Sequence, residues 1–96
     1  MSHQLFSRDF HIEANIPEGL FEAFMVAQAK LLNLKGNIEK TAQGFKGHLE
    51  GEKETMERLQ NIIEKAEQFL NKIKSIIFSE LKEIKQYTVE NFNVKN

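Results

Sequence analysis

His11-Ile-Glu13 and His48-Leu-Glu50 repeat one pattern, an imidazole followed two residues later by a carboxylate. On a strand, residues two apart share a face, so each pair would project to one side of a sheet. Two imidazoles and two carboxylates suit zinc or nickel, which accept nitrogen and oxygen ligands. Such spacing on strands is far less specific for a metal than two histidines one helical turn apart. Polar residues alternating with apolar ones are first of all the solvated face of a sheet. We therefore assign no metal and no cofactor, and keep His11 and His48 as weak metal candidates. Phenylalanines 21, 24, 45, 78 and 92 would suit an apolar ligand cavity, but aromatic residues at helix and strand periods usually fill a core.

The elements that must position these residues follow from periodicity. Phe10 to Ile16 alternates apolar and polar residues and predicts a first strand. From Leu20 the period changes to 3.6: Leu20, Phe24, Ala27 and Leu31 form a stripe flanked by Phe21, Met25 and Leu32, giving a helix of about three turns. Ile38 lies in a short second strand, Ala42 to Gly44 makes a hairpin turn, and Phe45 to Gly51 returns as strand three. Strands one and three are read as parallel neighbours. Met56, Leu59, Ile63, Ala66 and Leu70 recur at helical spacing, with Glu52, Glu54 and Glu57 near the start where the helix dipole favours them. No breaker marks the end of this second helix. Ile73 to Phe78 and Glu90 to Val94 supply strands four and five around a turn near Lys82 to Tyr87. The result is an α+β, ferredoxin-like split βαβ sandwich, βαββαβ plus a fifth strand, with two helices on one face of a mixed, antiparallel-rich sheet. Residues 9–96 are assigned to this domain and 1–8 to an N-terminal extension.

Composition bounds the functional classes. Ninety-six residues, 41% of them hydrophobic, describe one soluble globular domain. Thirteen basic against fourteen acidic residues leave a net charge of -1, with no footprint for nucleic acid and no cationic face for a membrane. The absence of cysteine excludes a disulfide framework and speaks against a secreted mini-protein. No apolar run reaches membrane-spanning length, and the cytoplasm is the expected location.

The stretch Ala14-Asn-Ile-Pro-Glu-Gly-Leu-Phe-Glu22 and the later Gly36-Asn-Ile-Glu-Lys40 resemble two motifs of the acylphosphatase family. There the first strand runs into a loop G-x-V-Q-G-V-x-F-R, and the second strand carries G-W-V-x-N. Leu49-Glu-Gly-Glu52 resembles the family's turn into its second helix, and Phe78-Ser79, Ile84 and Asn91-Phe92-Asn-Val94 match its C-terminal segment. The resemblance spans nearly the whole domain, though most matches are apolar positions and turns, which specify a fold more than an activity.

The resemblance implies a phosphate-cradling loop at Asn15, Ile16, Pro17, Glu18, Gly19, Leu20 and Phe21, a phosphate-gripping arginine at position 22 and a water-orienting asparagine at position 40. This chain has Glu22 and Lys40 there; sliding the loop by one residue puts Ala23 in place of the arginine. Pro17 removes a backbone donor and Glu18 adds a carboxylate to what should be an anion nest. The family's Gly-Ser-Pro break after helix two is also missing. Catalysis in such a site is placement plus charge stabilisation. Losing an arginine fork removes hydrogen bonds of roughly 1.5–3 kcal/mol each. A carboxylate near the phosphate adds repulsion of about 4 kcal/mol at ~4 Å and an effective dielectric of ~20. Halved for screening, the loss still spans several factors of ten in rate.

Glu22 and Lys40 admit two readings: a new catalytic pair, or an ion pair filling a vacated site. The second is preferred, because the loop has also lost its glycine. The expected function is an acylphosphatase-like domain that has lost hydrolysis and binds a protein or a small anionic ligand, as a monomer. The alternatives are a divergent acylphosphatase acting through Lys40 and an interaction domain using the open sheet face.

Overall fold

The computed structural model of the chain describes residues 4–17, 19–66, 69 and 71–95. Its elements are β1 (Leu5–Ala14), α1 (Leu20–Leu31), β2 (Lys35–Lys40), β3 (Gly44–Gly51), α2 (Lys53–Glu64), β4 (Ile73–Phe78), β5 (Lys82–Ile84) and β6 (Phe92–Lys95). The strands form one sheet in the order β4-β1-β3-β2-β6, with β5 also paired to β1. This is the split βαβ sandwich read from the sequence, with β6 as the expected fifth strand. Both helices contribute to a single core, which includes Phe21 and Met25 from α1, Met56, Leu59 and Ile63 from α2, and Phe10, Ile38, Phe45 and Leu49 from the sheet. No helix among the described residues is long and apolar enough to cross a membrane.

Four details differ from the expectation. β1 and β3 are neighbours but antiparallel. The β1-α1-β2 crossover makes β1 and β2 run the same way, and the β2-β3 hairpin reverses the chain, so β3 opposes both its neighbours. β1 begins at Leu5, so residues 5–8, set apart above as part of an extension, are in the sheet and pair with β3 and β5. Lys82–Ile84, read as a turn, is a short strand against Leu5, Phe6 and Ser7. The buried face of α1 is Phe21, Glu22, Met25 and Ala29, one position along from the stripe chosen above. Leu20 and Leu31 are 56% and 80% exposed. A helix this apolar on all sides carries little periodic signal to choose a face.

α2 keeps its expected face, with Met56, Leu59 and Ile63 buried, and ends at Glu64. Leu70, read as part of this helix, lies outside the described residues. Beyond the helix Phe69 returns to the core, 1% exposed, and packs edge-on against Phe21 and Phe24. Phe21, Phe45 and Phe92 are buried, and Phe24 and Phe78 pack against them, so the aromatic set is core. Leu49 and Leu59 are fully buried on the sheet and helix sides. Leu49→Ala and Leu59→Ala should each lower stability by about 2–5 kcal/mol in urea denaturation.

Candidate functional site

The loop from β1 into α1 is occupied by the protein's own groups. Asn15 N–H donates to the Lys72 carbonyl at 2.9 Å and Leu20 N–H to the Pro17 carbonyl at 3.4 Å. Gly19 N–H donates to Glu22 Oε1 at 2.8 Å, and Pro17 has no N–H to offer. Glu18 lies outside the described residues. Gly19 is the N-cap of α1 at φ 93°, a left-handed conformation that glycine adopts without strain. Three residues on, Glu22 reaches back to the cap N–H, the carboxylate half of a capping box. The helix dipole favours a negative charge at this end. Glu22 is 5% exposed, so its carboxylate is buried in the turn that leads into α1 and takes the Gly19 N–H there.

Lys40 is also satisfied locally. Its Nζ donates to the Thr41 carbonyl at 3.0 Å and stands 5.1 Å from the Phe45 ring centroid. The ion pair expected between Glu22 and Lys40 is therefore absent. A nearby backbone donor and acceptor meet each charge without ordering two long side chains against each other. Two cations flank the loop: Lys72 and Lys74, together with Asn15, Ile16, Pro17 and Asn71, line an open hollow of about 500 Å³.

A second cluster lies on the outer sheet face. Asp9 and His48 face each other across β1 and β3. His48 Nδ1 is 2.8 Å from Asp9 Oδ1 and Nε2 is 2.8 Å from Glu50 Oε2. Glu50 Oε1 accepts the Thr88 N–H at 2.8 Å, and Oε2 also accepts the Thr88 hydroxyl. A carboxylate at each ring nitrogen requires an imidazolium that donates twice. Burial pulls the His48 pKa down, but hydrogen bonds and attraction from Asp9 and Glu50 outweigh it and hold it above its ordinary 6.5. Burial pushes Glu50 up, but hydrogen bonds from Thr88 and His48 prevail and hold it below 4.5.

Glu50 is thus not the solvated face residue expected; it is 1% exposed. His11 and Glu13 are exposed, and His11 faces Lys46 rather than His48. Among the described residues no group of three or more metal-ligating side chains is arranged to hold an ion. The H-x-E pattern put Glu50 and His48 on one sheet face, whereas their contact with each other and with Asp9 and Thr88 emerges only with the strand register and the path of the C-terminal segment.

The sequence profile of the acylphosphatase family matches residues 9–94. With the split βαβ sheet and the loop entering α1, this places the chain in the acylphosphatase family. HypF in its phosphate- and nucleotide-bound form matches all of this chain at 23% identity with a TM-score of 0.83. The chain spans only 12% of the HypF chain. An acylphosphatase from Coxiella burnetii matches 96% of this chain and 94% of its own at 14% identity, with a TM-score of 0.75. BlrB, a BLUF protein in its dark state, matches 96% of this chain and 72% of its own at 13% identity, with a TM-score of 0.70. At these identities the likeness is one of fold. No curated protein matches the chain by sequence.

Proposed function

We propose that this acylphosphatase-family domain no longer hydrolyses acyl phosphates and serves as a binding or regulatory module. The observation that carries this reading is the Glu22 carboxylate, which takes the Gly19 N–H inside the loop. A phosphate would have to displace a hydrogen bond of about 1.5–3 kcal/mol and then face the displaced carboxylate. Lys40, at the position of the water-orienting residue, is a cation with no acceptor atom to align a water.

Purified protein should hydrolyse acetyl phosphate and benzoyl phosphate no faster than buffer near neutral pH. Inorganic phosphate should give no saturable millimolar shifts of the backbone amides of residues 15–22. The double variant Glu22→Arg with Lys40→Asn should gain phosphate binding at Gly19 if the rest of the cradle survives. Wild-type turnover that disappears in Lys40→Ala but persists in Lys53→Ala would replace this reading with that of a divergent hydrolase.

A further inference from the structure

Glu50 alternates with the core residue Leu49 and so belongs to the sheet face away from the helices, yet it is buried. Thr88, in the connection from β5 to β6, closes over it with two donors. The same connection is anchored at Lys35, whose Nζ donates to the Glu90 carbonyl at 3.0 Å and lies 4.9 Å from the Tyr87 ring centroid. Gly36 N–H adds a hydrogen bond to the Asn91 carbonyl.

We infer that residues 85–91 form a latch over the outer sheet face, held shut by the imidazolium of His48 through Glu50 and loosened when that proton is lost. Of these anchors, only Glu50 is held by an imidazole, whereas the Lys35 ammonium keeps its own charge-assisted contacts with Glu90 and Tyr87. With His48 neutral, one ring proton serves two carboxylates, and the buried carboxylate loses its countercharge. Asp9, 72% exposed at its side chain, can turn into water. Glu50 can be hydrated only if Thr88 lifts away.

Other charges do not replace the imidazolium. His11 on β1, Lys46 on β3, Glu39 on β2 and Lys95 on β6 border the hollow beside His48. Lys35 lies opposite Glu50 but is committed to Glu90 and Tyr87. Among the described residues, only Asp9 and Glu50 are in ion-pair contact with His48.

The sign follows from linkage. Closure raises the His48 pKa, so the closed state is favoured below 6.5 and weakened as pH rises through the raised value. Each unit of that rise is about tenfold in the open-to-closed ratio. Glu50 acts oppositely: its lowered pKa favours closure above 4.5, and that contribution is lost as pH falls through the lowered value. The latch is tightest between the two.

Tyr87 is the only tyrosine and the chain has no tryptophan, so tyrosine fluorescence, excited selectively over phenylalanine, reports this segment alone. Acrylamide quenching from about pH 5 to 9 stays below tyrosine ionisation near ~10. The quenching constant should rise severalfold as the His48 ring titrates by NMR, with an unchanged far-UV spectrum. His11→Gln should keep the rise and His48→Gln should abolish it. A flat wild-type profile while His48 titrates, or an undiminished rise in His48→Gln, overturns the latch. If His48→Gln does not fold, exchange protection in the wild type decides after correction for intrinsic rates. Protection that falls with pH at the Thr88 amide but not at Ile38 supports the latch; equal falls, or none, overturn it.

Discussion

Gly36→Ala is expected to remove about 3–5 kcal/mol of stability, a large share of a typical domain's reserve of ~5–15 kcal/mol. Gly36 has φ 141°, a region essentially closed to residues with a side chain. A Cβ there would stand 1.8 Å from the His48 carbonyl oxygen and 2.7 Å from its carbon. Those atoms belong to the backbone of a central strand, so no side-chain rotation relieves the clash. Moving β2 away would weaken its pairing with Leu49 of β3 and Phe92 of β6, together with the Gly36 hydrogen bond to Asn91. Denaturant titration of purified protein measures the loss directly. A change under about 1 kcal/mol, within reach of ordinary surface substitutions, would mean that β2 does not pack against β3 in this register.

Phe21→Ala should remove about 3–5 kcal/mol. The ring is fully buried, with centroids 4.8 Å from Phe45, 5.2 Å from Phe69 and 6.0 Å from Phe24. It joins α1 to β3 and to the segment after α2, and sits beside Glu22 at the start of the helix. Its loss should therefore loosen the Gly19 turn as well as the core. Thermal unfolding of Phe21→Ala and Leu31→Ala separates burial from helix propensity. Leu31 is on the same helix but 80% exposed, and its truncation should stay within about 0.5 kcal/mol. Equal effects from the two would show that the chosen core face of α1 is wrong.

The architecture was legible because its long elements carry clear periods. Phe10 to Ala14 and Phe45 to Leu49 alternate cleanly, and Met56, Leu59 and Ile63 repeat with the helix. β5 was not legible because Lys82-Glu-Ile84 is short and mostly charged; its pairing with β1 sets its conformation. The core face of α1 was ambiguous because Leu20, Phe24, Ala27 and Leu31 form as good a stripe as Phe21, Met25 and Ala29. At the candidate site, the substituted positions were visible in the sequence but their partners were not. The spacing of Gly19 and Glu22 is that of a capping box, a signal that would have placed the carboxylate on the loop's own backbone instead of on Lys40. Nothing local in Tyr87-Thr-Val89 indicates that Thr88 meets Glu50, because that contact depends on tertiary packing.

β1 receives β3 along one edge and both β4 and β5 along the other. During synthesis from the N-terminus, the β2-β3 hairpin is available early and can supply the first edge. The second stays bare until the chain beyond residue 73 has emerged. Pairing Phe10 with Phe78, or Leu5 with Ile84, closes loops over most of the chain, the non-local contact pattern associated with slower folding. In the interval, Phe10 and Ile12 stand on a strand with one unpaired backbone edge, the kind of surface on which nascent chains associate with one another.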